Sequence, residues 1–172
     1  MIIRTPPASE LSPYYQSYLS EVSEENLLEA LVKQKKATQE FLSSIPENKT
    51  SFSYAEGKWK LKEVVGHLCD TERILVYRAL RFSRKDKTPL SAFDENDYTP
   101  NSNYSSRSLS NIALEYKAIG DSTTALFTNM NEEMFDLKGI ANQAEVTVRA
   151  LLFFIIAHER HHLKVIRERY LS

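Results

Sequence analysis

Apolar residues recur at helical spacing in four stretches of the chain, each bounded by polar segments. Leu27, Leu28, Leu31, Val32, Phe41 and Leu42 fall three and four residues apart, the pattern of a helix with one buried face. The pattern predicts a helix that starts near Ser23, with Glu24 and Glu25 in its first turn where they suit the helix dipole. It ends at Ile45-Pro46, because the residue before proline avoids the α region. A second helix is predicted from about Leu61 to Arg84, carrying Val64, Val65, Leu68, Ile74, Leu75, Ala79 and Leu80. A third runs from about Leu109 to Met130, and a fourth from about Thr147 to the end. The first half of the fourth is apolar all round, as in a buried helix. Residues 1–13, with three prolines, read as an extended arm. SFSYAEGKW and DLKGIANQAE read as connectors, and Pro89 to Ser106 as a long polar loop of the kind that is often functional.

Four long helices joined by loops give an all-α four-helix bundle. The 172 residues suit one domain spanning the chain. Only four glycines occur, which argues against a glycine-rich phosphate loop. The net charge of -1 supplies no electrostatic footprint for nucleic acid. The longest apolar run, Ala150 to Ala157, is too short to span a bilayer. Cys69 is the single cysteine, so no internal disulfide is possible, and the N-terminus lacks an apolar signal core. The expectation is a soluble cytoplasmic protein with no nucleic-acid or membrane partner.

The chemistry concentrates in four histidines: His67, His158, His161 and His162. Residues four apart on a helix share a face, so His158 and His162 can act together, while His161 points about 100° away from His162. His67, among Val64, Leu68 and Ile74, faces the interior of the predicted bundle. Three imidazoles from two helices, with a fourth position open, is a common way to hold catalytic zinc. Imidazole equally suits nickel, iron and copper. The spacing is also compatible with a hydrogen-bonded core histidine and a solvated pair near the chain end.

HERHH further matches H-E-x-x-H, in which Glu159 would be a general base. Only ten residues follow His162, leaving Glu168 as a poorly directed third ligand. Asp70, three residues after His67, could accept the far ring N–H of that histidine, or pair with Arg73 or Arg78. Cys69 reads as a buried structural thiol.

The segments GKWKLKEVVGHLCDTERILVYRALRFSRKD, TPLSAFDENDY and TVRALLFFIIAHERHHLKVIRERYL resemble the DinB-like (YfiT-like) superfamily over nearly the whole chain. A histidine in the second helix followed by HxxxH in the fourth is that family's order. Ala157 departs from it, standing where glycine is expected. The resemblance implies an up-down-down-up bundle, a divalent metal on His67, His158 and His162, and in many members a homodimer. Relatives include transferases acting with bacillithiol and isomerases using mycothiol.

The function expected is transfer of a low-molecular-weight thiol to an electrophile, in detoxification or stress response, with zinc ahead of nickel or iron. Asp70 or Glu159 would take the proton, and Tyr98 or Arg107, on or beside the polar loop, would touch substrate. A metal-dependent hydrolase and a non-catalytic metal-binding protein are the alternatives.

Overall fold

A computed structural model describes all 172 residues. Four long helices form the bundle: α2 (Leu27–Ser44), α3 (Leu61–Ser83), α5 (Leu109–Thr128) and α6 (Val148–Val165). Two short helices, α1 (Pro13–Gln16) and α4 (Glu95–Asn101), lie outside it. α3 packs against α5 and α6, and α2 packs against the same two helices. The consecutive pair α2 and α3 therefore sit across the bundle diagonal, and the chain follows the up-down-down-up path. No helix is long and apolar enough to cross a membrane.

Each helix start is fixed by a side chain that satisfies an otherwise orphaned N–H. Ser108 Oγ accepts from Asn111 N at 3.2 Å and Thr147 Oγ1 from Ala150 N at 3.0 Å. Glu63 reaches back to accept from Lys60 N at 2.7 Å. α2 begins at Leu27 rather than near Ser23, because Asn26 is its cap and accepts from Leu28 N at 3.3 Å.

The same Asn26 oxygen accepts from Ile3 N at 3.2 Å, and Leu27 N donates to Ile3 O at 2.7 Å. The first residues are thus docked, with Ile3 fully buried. This corrects the expectation of a plain extended arm: residues 8–10 form a helical turn and Ser12 caps α1. A second correction concerns the connector 136–145, which contains a β-hairpin. β1 (Lys138–Ala141) pairs antiparallel with β2 (Ala144–Thr147), and Asn142 and Gln143 make the two-residue turn with positive φ. Leu90 joins it through Leu90 N to Ile140 O at 2.9 Å and Asn142 N to Leu90 O at 3.1 Å. The polar loop is thereby held against the hairpin, and it carries α4 and a helical turn at 104–106. A π-helical turn over Ile166–Tyr170 extends α6.

The core consists of a cluster of 23 buried apolar residues around α6, α2 and the lower half of α3, and a second cluster of 14 at the other end. The histidine-bearing stretches of α3 and α6 lie where these clusters meet.

Candidate metal centre

His67 stands on the buried face of α3, and His158 and His162 stand one turn apart on α6. The contact between these helices brings the rings together: Nε2 of His158 is 3.1 Å from Nε2 of His67 and 3.1 Å from Nε2 of His162. One nitrogen from each of the three lies within 4.8 Å of the others. Nitrogens bound tetrahedrally to one zinc ion lie about 3.3 Å apart, given Zn–N distances of roughly 2.0–2.1 Å.

Burial holds all three imidazoles in the neutral form that a metal requires. It lowers His67 to about 4 and, with the charges of His67 and His161 adding to it, lowers His162 to about 3. His158 is pushed well down by burial and by the neighbouring histidines. Three neutral Nε2 atoms converging at this distance cannot all be satisfied by one another, since each pair needs one proton between them. The residues therefore fit a divalent cation. On the far side of His67, Thr71 Oγ1 lies 3.4 Å from Nδ1, and the Trp59 ring packs 5.0 Å from the imidazole.

The triad lies at the edge of a cavity of about 710 Å³. Its walls are aromatic, with Tyr14, Tyr15, Tyr18, Trp59, Phe93 and Phe154. The tyrosines come from the docked N-terminal segment. Tyr15 stacks on Phe154 at 4.0 Å between centroids, and Phe154 in turn lies 5.4 Å from His158. His161 also lines the cavity, edge-on to Tyr18 and His162. Arg78 forms part of the wall on α3.

The carboxylates expected beside the histidines are turned elsewhere. Glu159 is 3% exposed and faces α2 and α5, where it accepts from Lys35 Nζ and Thr38 Oγ1 at 2.6 Å and from Tyr116 OH at 2.7 Å. It does not line the cavity, because one residue along a helix is a rotation of about 100° from His158. The metalloprotease reading of HERHH loses its base because Lys35, Thr38 and Tyr116 take up Glu159; the helical step alone would not exclude it, since H-E-x-x-H places its glutamate at the same step. Asp70 accepts from Tyr104 OH at 2.9 Å and lies 3.8 Å from Arg73. It belongs to a second, polar depression with Tyr98, Arg107 and Glu115, outside the aromatic cavity. Arg107 is engaged there by Glu115 at 2.5 Å. The partner that Asp70 was expected to provide for His67 is instead Thr71, four residues on.

The residues missed by sequence reasoning are Thr71, Arg78, Trp59, Phe154 and the tyrosines of the N-terminal segment. Thr71 and Arg78 carried a signal, since positions four and eleven after His67 return to its face of the helix. The tyrosines carried none, because only the docking of the N-terminal segment brings them here. Cys69 is buried within the second apolar cluster and takes no part in the cavity.

Fold and site together define a class: a helical bundle that gathers three histidines from two of its helices beside an open cavity. More particularly, the chain belongs to the DinB superfamily, whose family model matches residues 30–166. A protein of Oceanobacillus iheyensis proposed as a metal-dependent hydrolase is 24% identical over 130 residues, 74% of either chain. YfiT of Bacillus subtilis, proposed as a metal-dependent hydrolase with an unusual four-helix bundle topology, superposes with a TM-score of 0.70 at 18% identity. That match covers 96% of this chain and 91% of the other. A mycothiol-dependent maleylpyruvate isomerase superposes with a TM-score of 0.66 at 13% identity, over 84% of this chain and 61% of its own. These two likenesses are of fold.

Proposed function

We propose that this chain is a metal-dependent enzyme acting on a small molecule, and specifically one that transfers a low-molecular-weight thiol to an electrophile. The observation that carries the reading is the convergence of three neutral imidazole nitrogens within 4.8 Å beside a cavity of about 710 Å³. A divalent metal held by His67, His158 and His162, zinc in the first place, would supply Lewis acidity that favours the thiolate form of a bound thiol. The thiol sulfur then bonds to an electrophilic carbon, the leaving group departs with its electron pair, and the thiol proton passes to solvent. Thr71, against Nδ1 of His67, fixes the orientation of that ring. Trp59, Tyr15 and Phe154 exclude water and hold the apolar part of the substrate.

Neither Glu159 nor Asp70 lines the cavity, so the thiol proton passes to solvent rather than to either of them. The second reading, a metal-dependent hydrolase, is supported by the names of the Oceanobacillus relative and of YfiT. A cytoplasmic location and a homodimer belong to the same proposal.

Elemental analysis of the purified protein, followed by a thiol-conjugation screen on the metal-loaded form, tests the reading. His67→Ala, His158→Ala and His162→Ala should each lower bound metal by tenfold or more at sub-stoichiometric loading, as expected on the order of loss of one of three ligands. His161→Ala should retain most of it. Retention by the triad variants with loss in His161→Ala would refute the ligand assignment. A metal-loaded protein that conjugates no thiol but hydrolyses esters or amides would favour the second reading.

A further inference from the structure

The wall that carries His67 also carries a buried cation with no anion beside it. Arg78 lies eleven residues after His67 on α3. At about 100° and 1.5 Å per residue it returns to the same face roughly 16 Å further along. His67, Thr71, Leu75 and Arg78 form one stripe on the cavity. Arg78 is only 6% exposed. Its one hydrogen bond runs from Nη2 to Ser91 O at 2.8 Å, and it joins no ion pair. Burial pushes its pKa down, opposed only by the Tyr15 phenol.

The carboxylates on this cavity are placed otherwise. Glu145 is exposed and paired with Lys138 at 2.7 Å, and Glu95 lies toward Tyr18. A guanidinium offers five N–H donors in a planar fork and stays charged. Withdrawing such a group from water without a counter-charge is costly. An anion arriving with the ligand would remove that cost.

We propose that Arg78 binds a carboxylate of the substrate. The substrate class is then an elongated small molecule: a reacting group at the histidines, an apolar body against Tyr15, Trp59 and Phe154, and a carboxylate at Arg78. A carboxylate matches the fork and balances its single charge. A phosphate dianion would leave a net negative charge in a buried site, which is costly. The proposal rests on reading this cavity as the substrate site.

The test uses the full chain, metal-free and zinc-loaded, with dansylglycine and its uncharged amide as probes. Energy transfer from Trp59, the only tryptophan and part of the cavity wall, reports binding, and the Arg78 variants locate it. Wild type should bind the carboxylate about tenfold more tightly than the amide, the scale of a charge-assisted hydrogen-bonded pair. Arg78→Gln, which keeps a donor for Ser91, should abolish that preference and leave amide binding within about twofold. Arg78→Lys should retain part of it. Equal binding of both probes by wild type overturns the proposal, and that comparison requires no variant. So does an Arg78→Gln protein that weakens both probes alike, the mark of a residue that only holds the loop at Ser91. Failure of the metal reading is separable, since it leaves zinc unbound and the probe preference intact.

Discussion

Lys35 reaches between two carboxylates in the bundle interior, with Nζ at 2.6 Å from both Glu72 and Glu159. Burial disfavours its charge, yet the two carboxylates outweigh that and raise its pKa. Burial alone would raise Glu159, but Lys35 and the hydroxyls of Thr38 and Tyr116 hold it below the ordinary carboxylate range. Glu72 is raised by burial and by the charge of Glu159, and its Oε1 has no partner. Glu159 therefore holds its charge more readily than Glu72, and Lys35 is shared between them. Replacing one partner of a buried pair leaves the other charge uncompensated. Lys35→Met should lower stability by about 3–5 kcal/mol in urea unfolding. The double variant Lys35→Met, Glu159→Gln should recover part of that loss, because it removes the stranded charge. If Lys35→Met is as stable as wild type, the pair contributes nothing. The network also explains why Glu159 is unavailable as a base despite its place beside His158.

Among the elements, α3 is the one on which most of the site depends. Its inner stripe carries His67, Thr71 and Arg78, and at Gly66 it is closely approached by the 104–106 turn. A Cβ at that position would stand 2.2 Å from the Tyr104 ring, which lies directly on the helix backbone. Tyr104 also donates to Asp70, so the 104–106 turn is fastened to α3 at two adjacent points. Gly66→Ala gains helix propensity but must displace the ring. Overpacking of this kind should cost about 1–3 kcal/mol, read from the midpoint of denaturant unfolding. Because Gly66 precedes His67, bound zinc should fall in the same variant. An unchanged midpoint would mean that the turn yields without strain. On the opposite side of the cavity, Arg160 fastens the N-terminal segment to α6, donating to Glu21 O at 2.8 Å and to Glu24 at 2.7 and 2.8 Å. The three tyrosines precede that clamp in the chain, so the aromatic wall is tied to the helix that bears two of the histidines.

At the scale of the whole molecule, the histidines lie at the junction of two apolar clusters of 23 and 14 buried residues. A core of that extent forms on each side of the triad without passing through it. Metal removal should therefore leave the helices formed. Chelation is expected to preserve the far-ultraviolet circular dichroism spectrum while lowering Tm, by an amount that follows free metal concentration, because a ligand bound only to the native state stabilises it by mass action. Complete loss of helicity on chelation would make the metal structural. A Tm indifferent to zinc would mean that the triad holds none.

The sequence by itself determined the four long helices and the pairing of His158 with His162. Both depend on local spacing: apolar residues at three and four mark a buried face, and four residues return a side chain to it. The four-helix class followed from the same pattern. The hairpin at 138–147 escaped because its strands are four residues each and its Asn142-Gln143 turn lacks the usual glycine. Tertiary structure alone decided which polar groups accompany the histidines. Asp70 and Glu159 are near them in sequence, yet about a quarter turn of helix or less suffices to give each to a different neighbour. Glu159 found Lys35 across α2, and Asp70 found Tyr104. The aromatic wall likewise depends on Ile3 and Asn26 docking the chain's first residues beside α6, a contact between segments that no local pattern encodes.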